Sequence, residues 1–177
     1  MEFEKLEVYL MQKAEEWLYQ QRKIYLTTSR HLSNEERLKL NGYFEKRILD
    51  LVRVATTGRI SNPEFYDELK EKKIPIPMDF TSAVGLTLID CVLLRKGFES
   101  ISILFHEMVH VVQNDLLGIK KLIELYFLEL VRNKTQYRDI SFEVQAYTLT
   151  DRFDRGKSPF SVREIVAGEL KQKSILL

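Results

Sequence analysis

Two of the three histidines in the chain occur in one short segment, His106-Glu107-Met108-Val109-His110. On a helix, residues four apart share a face with their Cβ atoms about 6 Å apart, so two imidazoles at this spacing can bind one metal ion. Glu107 lies beside them and can accept a proton from a metal-bound water without being a ligand. The pattern predicts a zinc site with Glu107 as general base, because zinc lowers the pKa of its bound water to about 7.

A catalytic zinc site needs a third protein ligand, and the acidic residues downstream of the two histidines are the candidates. Glu143 is favoured because it lies near the start of a predicted helix, and Ala146 would let that helix approach its neighbour closely. Glu124 and Glu129, on the intervening segment, are the alternatives. His31 lies far upstream and is more typical of a surface histidine.

Hydrolysis at such a site also needs a hydrogen-bond donor for the oxyanion and groups that orient the ligands. Tyr147, one helical turn after Glu143, is the favoured donor, and Tyr137 and Arg138 are the alternatives. Gln113 could form a hydrogen bond within the site or cap a neighbouring loop. The carboxylates that could orient the histidines are those of Asp115, Asp139 and Asp151.

Periodic apolar residues predict the helices that position these side chains. Residues 98–117 have the length and apolar flanks of a buried helix that ends at Gly118. Ser141 is predicted to cap the helix that carries Glu143 and continues to about Phe153. Further helices are predicted at residues 3–26, about 34–40, 43–50, 63–72 and 120–132, and in a C-terminal segment that Ser161 caps.

Strands are predicted between these helices. Residues 51–56 alternate and are β-branched, and residues 84–88 and 91–95 are predicted to form a hairpin around Ile89-Asp90. The chain is therefore predicted to be one α+β domain over residues 1–177. Its parts are an N-terminal helical part (1–50), a strand-rich part (51–97), the metal-site helices (98–155) and a C-terminal helix (156–177).

The composition excludes several classes of protein. The 177 residues carry a formal net charge of +1, which gives no electrostatic indication of nucleic-acid binding. Hydrophobic residues at 45% and charged residues at 30% are typical of a folded globule, and no stretch is long and apolar enough to span a bilayer. The single cysteine, Cys91, excludes an internal disulfide, and the N-terminus lacks a signal-peptide pattern, so we expect a cytoplasmic protein.

The motif residues also resemble a known group of enzymes. The segment from His106 to Gln113, followed by Phe142-Glu143 and Ala146-Tyr147, resembles the gluzincin branch of the H-E-x-x-H zinc metallopeptidases. It is most similar to small uncharacterised bacterial metallopeptidase-like proteins that share a Gly-Leu-Thr-Leu strand motif, here at residues 85–88. The resemblance covers roughly residues 50–153.

This resemblance implies a zincin-like fold with one Zn²⁺ ion held by His106, His110 and Glu143, and Glu107 as general base. It implies a peptide or protein substrate that pairs with a strand at the edge of the cleft. The strand at Cys91–Arg95 would have this role, and its residues Val92, Leu93 and Leu94 would bind the substrate. The expected activity is that of a zinc-dependent peptidase or amide hydrolase.

Two other interpretations stay open. In the first, the chain is a catalytically silent zinc-binding domain of the same fold that acts as a protein-interaction module. In the second, the H-E-x-x-H pattern occurs by chance on a core helix that binds no metal. Replacing Glu107 with Gln separates the enzyme from the silent domain, and metal analysis identifies the chance pattern.

Overall fold

The computed structural model describes residues 2–73, 78–132, 136–156, 158–173 and 175, and its elements confirm the α+β class. The helices are α1 (Glu2–Leu26), α2 (Asn34–Leu40), α3 (Lys46–Leu51), α4 (Phe65–Glu71), α5 (Ile101–Leu117), α6 (Ile119–Phe127), α7 (Ser141–Asp154) and α8 (Val162–Gln172). The strands are β1 (Arg30–His31), β2 (Arg53–Thr57), β3 (Gly85–Leu88) and β4 (Cys91–Arg95). Within the described ranges, no helix is both long and apolar enough to cross a membrane.

The strands form one mixed sheet in the order β1-β2-β4-β3. β3 and β4 pair antiparallel, with Leu88 opposite Cys91, which confirms the predicted hairpin. β4 pairs in parallel with β2, and β2 pairs antiparallel with β1. The N-terminal part predicted as helical over residues 1–50 also contains the short strand β1, where Arg30 and His31 extend the sheet between α1 and α2.

The position of β4 corrects the predicted substrate-binding strand. β4 lies inside the sheet, where β2 and β3 use its backbone hydrogen-bonding groups on both sides. Val92, Leu93 and Leu94 are at most 3% exposed, so they cannot line an open cleft or pair with a peptide. The strand at the edge of the sheet on this side is β3.

Both faces of β4 are buried, which explains its continuous apolar sequence. Val92 and Leu94 face the main core, which includes residues of α5, α7 and α8. Cys91 and Leu93 face a smaller cluster that includes Leu18 of α1. The amphipathic helix predicted at residues 3–26 therefore covers the face of the sheet opposite α5.

Helix α5 lies at the centre of the domain and carries both motif histidines. Ser100 caps its first turn by accepting a hydrogen bond from the backbone N–H of Ile103 at 3.1 Å. Gly118, with a φ of 75°, ends it as predicted. Phe105, Met108 and Val109 are fully buried, so the apolar face fixes the helix against the sheet. This packing sets the direction in which His106 and His110 point away from α5.

Helix α7 begins differently from the sequence prediction. Its N-cap is Ile140, and Ser141 is its first residue. The backbone N–H and hydroxyl of Ser141 donate to the Glu129 carboxylate at 2.8 and 2.6 Å. A carboxylate at a helix N-terminus satisfies a free N–H and is favourable to the helix dipole. Glu129 lies in a π turn, Leu128–Arg132, that follows α6, so the predicted helix 120–132 changes geometry there.

Candidate metal centre

The structure brings His106, His110 and Glu143 together at the contact between α5 and α7. The two Nε2 atoms of the histidines are 3.2 Å apart. Oε2 of Glu143 lies 3.5 Å from Nε2 of His106, and Oε1 lies 3.5 Å from Nε2 of His110. The helix spacing thus places the imidazoles on one face, and α7 completes the triangle with a carboxylate.

These distances fit a tetrahedral metal site. Ligand atoms about 2.0–2.2 Å from a tetrahedral ion are about 3.3–3.6 Å from one another. The separation of the two nitrogens, 3.2 Å, and the 3.5 Å between each nitrogen and the nearer Glu143 oxygen are close to this range. Oε2 of Glu143 is buried and has no hydrogen-bond partner, whereas buried carboxylate oxygens are normally paired. A cation bound between the three side chains would satisfy this oxygen. The donor set of two imidazoles and one carboxylate is one that catalytic zinc sites use.

The other oxygen of Glu143 is held by two tyrosines. The hydroxyls of Tyr126 and Tyr137 donate to Oε1 at 2.8 and 2.6 Å. Burial alone would raise the pKa of Glu143, but the charge of His110, the nearby imidazole of His106 and the hydrogen bond from Tyr137 keep it well below its ordinary value. Burial and the same carboxylate raise the pKa of both tyrosines, which therefore remain protonated donors. Glu143 is thus kept ionised and oriented.

His110 is oriented by an amide. Its Nδ1 lies 2.8 Å from Oε1 of Gln113, so this oxygen accepts a hydrogen bond from Nδ1, and Nε2 faces Glu143. Gln113 is itself fixed, because its Nε2 donates to the carbonyl of Phe142 and to Oε1 of Gln145. Burial lowers the pKa of His110, but Glu143 outweighs this effect and raises it to about 9.

Two of the three acidic residues predicted to orient the histidines, Asp115 and Asp151, have other partners; the third, Asp139, lies in the 3₁₀ turn Tyr137–Asp139. Asp115 pairs with Arg47 and Arg163, and Asp151 pairs with Arg155. Gln113 contacts His110 instead, which is the first of its two predicted interactions, a hydrogen bond within the site.

Glu107 lies beside the ligands, with only 6% of its surface exposed. The hydroxyl of Thr87 on β3 lies 2.8 Å from its Oε2 and 2.8 Å from its backbone oxygen. Burial raises the pKa of Glu107, and the charges of His110 and His106 oppose this rise. A raised pKa suits a carboxylate that accepts and then returns a proton near neutral pH.

Gly85 makes room for Glu107. A Cβ at this position would lie 2.5 Å from Oε1 and 2.9 Å from Cδ of Glu107, closer than side-chain atoms pack. The first residue of the Gly-Leu-Thr-Leu segment therefore has no side chain because the carboxylate occupies that space. Its third residue, Thr87, donates the hydrogen bond to the same carboxylate.

The predicted oxyanion donors lie at different places. The ring of Tyr147 packs against that of His106, with centroids 4.5 Å apart, and the residue is 45% exposed. Tyr137 lines the same cavity as Glu107, His110 and Glu143. Arg138 follows it in an exposed 3₁₀ turn. Of the two predicted tyrosine donors, Tyr137 is therefore the one that lines the cavity next to the candidate ligands.

The alternative ligands lie outside the centre. Glu124 forms an ion pair with Lys121 on the surface of α6, and Glu129 is held by Ser141. His31 lies in β1, where its Nε2 is 2.6 Å from Nη1 of Arg53. Of the three candidate acids, Glu143 is the one that the fold brings to the histidines.

Comparisons with protein-family models, with curated proteins and with solved structures found no significant match to this chain. The chemical argument therefore depends on the geometry of the centre. Three converging ligand atoms, an adjacent buried carboxylate and a cavity at the same place together can hold a divalent ion and move a proton.

Proposed function

We propose that the protein is a zinc-dependent peptidase or amide hydrolase with a zincin-like site. The observation that carries this proposal is the position of Glu107 beside two imidazole nitrogens that are 3.2 Å apart, each of them 3.5 Å from an oxygen of Glu143. A metal site with a structural role needs no free carboxylate next to it, and its ligand shell is closed. Here the Glu107 carboxylate is buried. Gly85 leaves the space that this carboxylate occupies, and the Thr87 hydroxyl donates a hydrogen bond to it.

In this mechanism His106, His110 and Glu143 hold the ion, and Gln113 keeps the Nε2 lone pair of His110 directed at it. Zinc, when bound, supplies a Lewis acid that polarises a carbonyl and lowers the pKa of water. Glu107 takes the proton from the attacking water and delivers it to the leaving amine. The hydroxyl of Tyr147, or that of Tyr137 once it turns away from Glu143, donates to the oxygen on which negative charge develops.

The test is Glu107→Gln in protein loaded with zinc. The amide is nearly isosteric and is not a metal ligand in this arrangement, so we expect about one equivalent of zinc in both proteins. Digestion of a peptide library should be detectable with the natural residue and lost in the variant. Undiminished digestion in the variant would contradict the role of Glu107.

Metal content tests the centre itself. Protein purified without chelator or His-tag should hold about one zinc, and His106→Ala should lose it. Zinc below about a tenth of an equivalent in both proteins would identify the motif as a chance pattern. Full zinc occupancy with no turnover of any peptide or amide would favour the silent binding domain.

A further inference from the structure

A cavity of about 200 Å³ extends from the metal centre into the space between α1, α4, α6 and β3. Its polar side chains include Glu107, His110 and Glu143 at the centre, with Thr87 and Tyr137 beside them. The walls away from the centre are apolar. They are formed by α1, with Leu10, Ala14, Trp17 and Leu18, by α4, with Leu69, and by α6, with Ile123.

The dimensions of this cavity suit an extended apolar group. A cavity of about 150 Å³ is enough to bind benzene, so this one holds a larger group than a single ring. The residues of α1 that line it run from Leu10 to Leu18, which corresponds to about 12 Å along the helix. The space is therefore elongated, with reactive groups at one end and hydrocarbon along the rest.

One polar atom near the centre has no partner within the protein. Oδ1 of Asn114 is buried without a hydrogen bond, and Asn114 lies in the cavity lining one turn after His110. A buried unpaired acceptor costs free energy unless a ligand supplies a donor. An amide N–H close to the metal centre is such a donor.

We propose that the cavity binds the aliphatic chain of an N-acyl substrate whose amide lies at the metal centre. This inference depends on the proposed function and gives it a substrate class, the long-chain acyl amide. A polar peptide side chain would lose its hydration between α1 and α6 without gaining hydrogen-bond partners. Each methylene of a hydrocarbon chain that is buried there makes the binding free energy more favourable.

The test is binding, followed through the fluorescence of Trp17, the only tryptophan in the chain and part of the cavity wall. The probes are N-acetyl-, N-hexanoyl- and N-decanoylglycinamide, used below their micelle concentrations with zinc-loaded and with metal-free protein. We expect affinity to rise about fourfold per added methylene until the cavity is full, with a blue shift of Trp17 emission. Equal affinity for the acetyl and decanoyl compounds would overturn the proposal.

Filling the cavity should remove this dependence. Ala14→Phe places a ring in the wall of α1, so it should weaken decanoyl binding at least tenfold and leave acetyl binding unchanged. Val8→Phe is the matched control, because Val8 lies on the same helix and is 61% exposed. If Ala14→Phe does not fold by circular dichroism, Ile123→Phe blocks the cavity from α6. A folded blocking variant that keeps full decanoyl affinity would contradict the proposed site.

Asn114→Leu tests the polar end. It should weaken N-decanoylglycinamide about tenfold and leave methyl decanoate unaffected, since the ester has no hydrogen-bond donor. An equal effect on both ligands would contradict amide recognition by Asn114.

These measurements separate the two proposals. Chain-length dependence in metal-free protein and in Glu107→Gln supports the acyl site even if no turnover is found. Turnover of short peptides, without any dependence on chain length, supports the hydrolase and overturns the acyl site.

Discussion

The carboxylate of Glu107 occupies the position that a side chain at residue 85 would need. A Cβ on Gly85 would come within 2.5 Å of Oε1, and β3 holds Gly85 in the register that places it opposite Leu94. Thr87, two residues along the same strand face, donates to the other carboxylate oxygen at 2.8 Å. Strand β3 thus leaves space for the side chain of Glu107, the proposed general base, and also orients it.

Replacing Gly85 with Ala should therefore displace Glu107 without removing a metal ligand. A shift of about 1 Å in a catalytic group can cost 100-fold in rate, so we expect kcat to fall about 100-fold while zinc content stays near one equivalent. Stopped assays at saturating zinc, with metal analysis of the same samples, measure both quantities. Gly58→Ala is the control, because nothing lies within 4 Å of a Cβ there. Equal effects of the two substitutions would contradict the steric argument.

Replacing Gln113 with Met should weaken zinc binding. The change removes the acceptor for Nδ1 of His110, and loss of such an orienting partner typically costs 10- to 100-fold in metal affinity. Competition with a chromogenic chelator measures the affinity. Gln145→Met is the matched control, since Gln145 bonds to Gln113 but not to His110. We expect the control to keep an affinity within about threefold of the unchanged protein, and a loss as large as that of Gln113→Met would argue against orientation of His110.

The choice between the two tyrosine donors can be measured. Tyr137 borders the cavity at Glu107, whereas Tyr147 packs on His106 and is 45% exposed. We expect Tyr137→Phe to lower kcat about 100-fold at saturating zinc, and Tyr147→Phe to change it less than about threefold. The opposite ranking would restore Tyr147 as the donor.

Tyr126→Phe is the control for an indirect effect. Tyr126 and Tyr137 donate to the same oxygen of Glu143, at 2.8 and 2.6 Å. If Tyr137 acts only by holding Glu143, the two substitutions should lower zinc affinity and kcat to the same extent. A kcat loss confined to Tyr137→Phe separates its contact with substrate from its contact with the ligand.

The sequence predicted the parts of the site that depend on local spacing. The i, i+4 positions of His106 and His110 follow from helix geometry, and the C-terminal glycine of α5 is a recognisable residue type. The Ser100 cap was not predicted, and α5 begins at Ile101 and not at residue 98. Glu143 was favoured for its place near a helix start and for the small Ala146, which lies fully buried in the main core. Each of these signals lies within a short segment, so it can be recognised in the sequence without knowledge of the tertiary fold.

The partners of those residues depend on contacts between distant elements. Thr87 reaches Glu107 from another strand, and Tyr126 reaches Glu143 from another helix. The spacing of neither pair has a periodic signature, so the role of Thr87 and of Gly85 could have been recognised only from the short Gly-Leu-Thr-Leu segment. One sequence signal bears on the order of the strands. The uninterrupted apolar sequence of β4, which begins at Cys91, is typical of a strand buried on both faces and therefore of a position inside the sheet.

An ionic cluster on the far side of α5 gives a prediction for stability. Asp115 accepts a hydrogen bond from Arg47 of α3 at 2.8 Å and another from Arg163 of α8 at 2.5 Å, so one carboxylate links three helices. The hydrogen bond from Arg47 is the largest influence on the pKa of Asp115, and together with Arg163 it outweighs burial and lowers this pKa to about 2.

The sign of the pH dependence follows from this lowered pKa. An aspartate in the unfolded chain has a pKa of about 3.9, so the ionised carboxylate stabilises the folded state above that pH. The contribution is lost as the pH falls from about 4 to about 2. After allowance for solvent screening we expect it to be about 1 kcal/mol. Urea unfolding of Asp115→Asn and the unchanged protein should differ by this amount at pH 6 and converge near pH 2. Asp50→Asn is the control, because Asp50 pairs with Arg37 and Lys46 on an exposed surface and should give a smaller difference. A difference at Asp115 that persists unchanged at pH 2 would show that the substitution acts through packing and not through the charge.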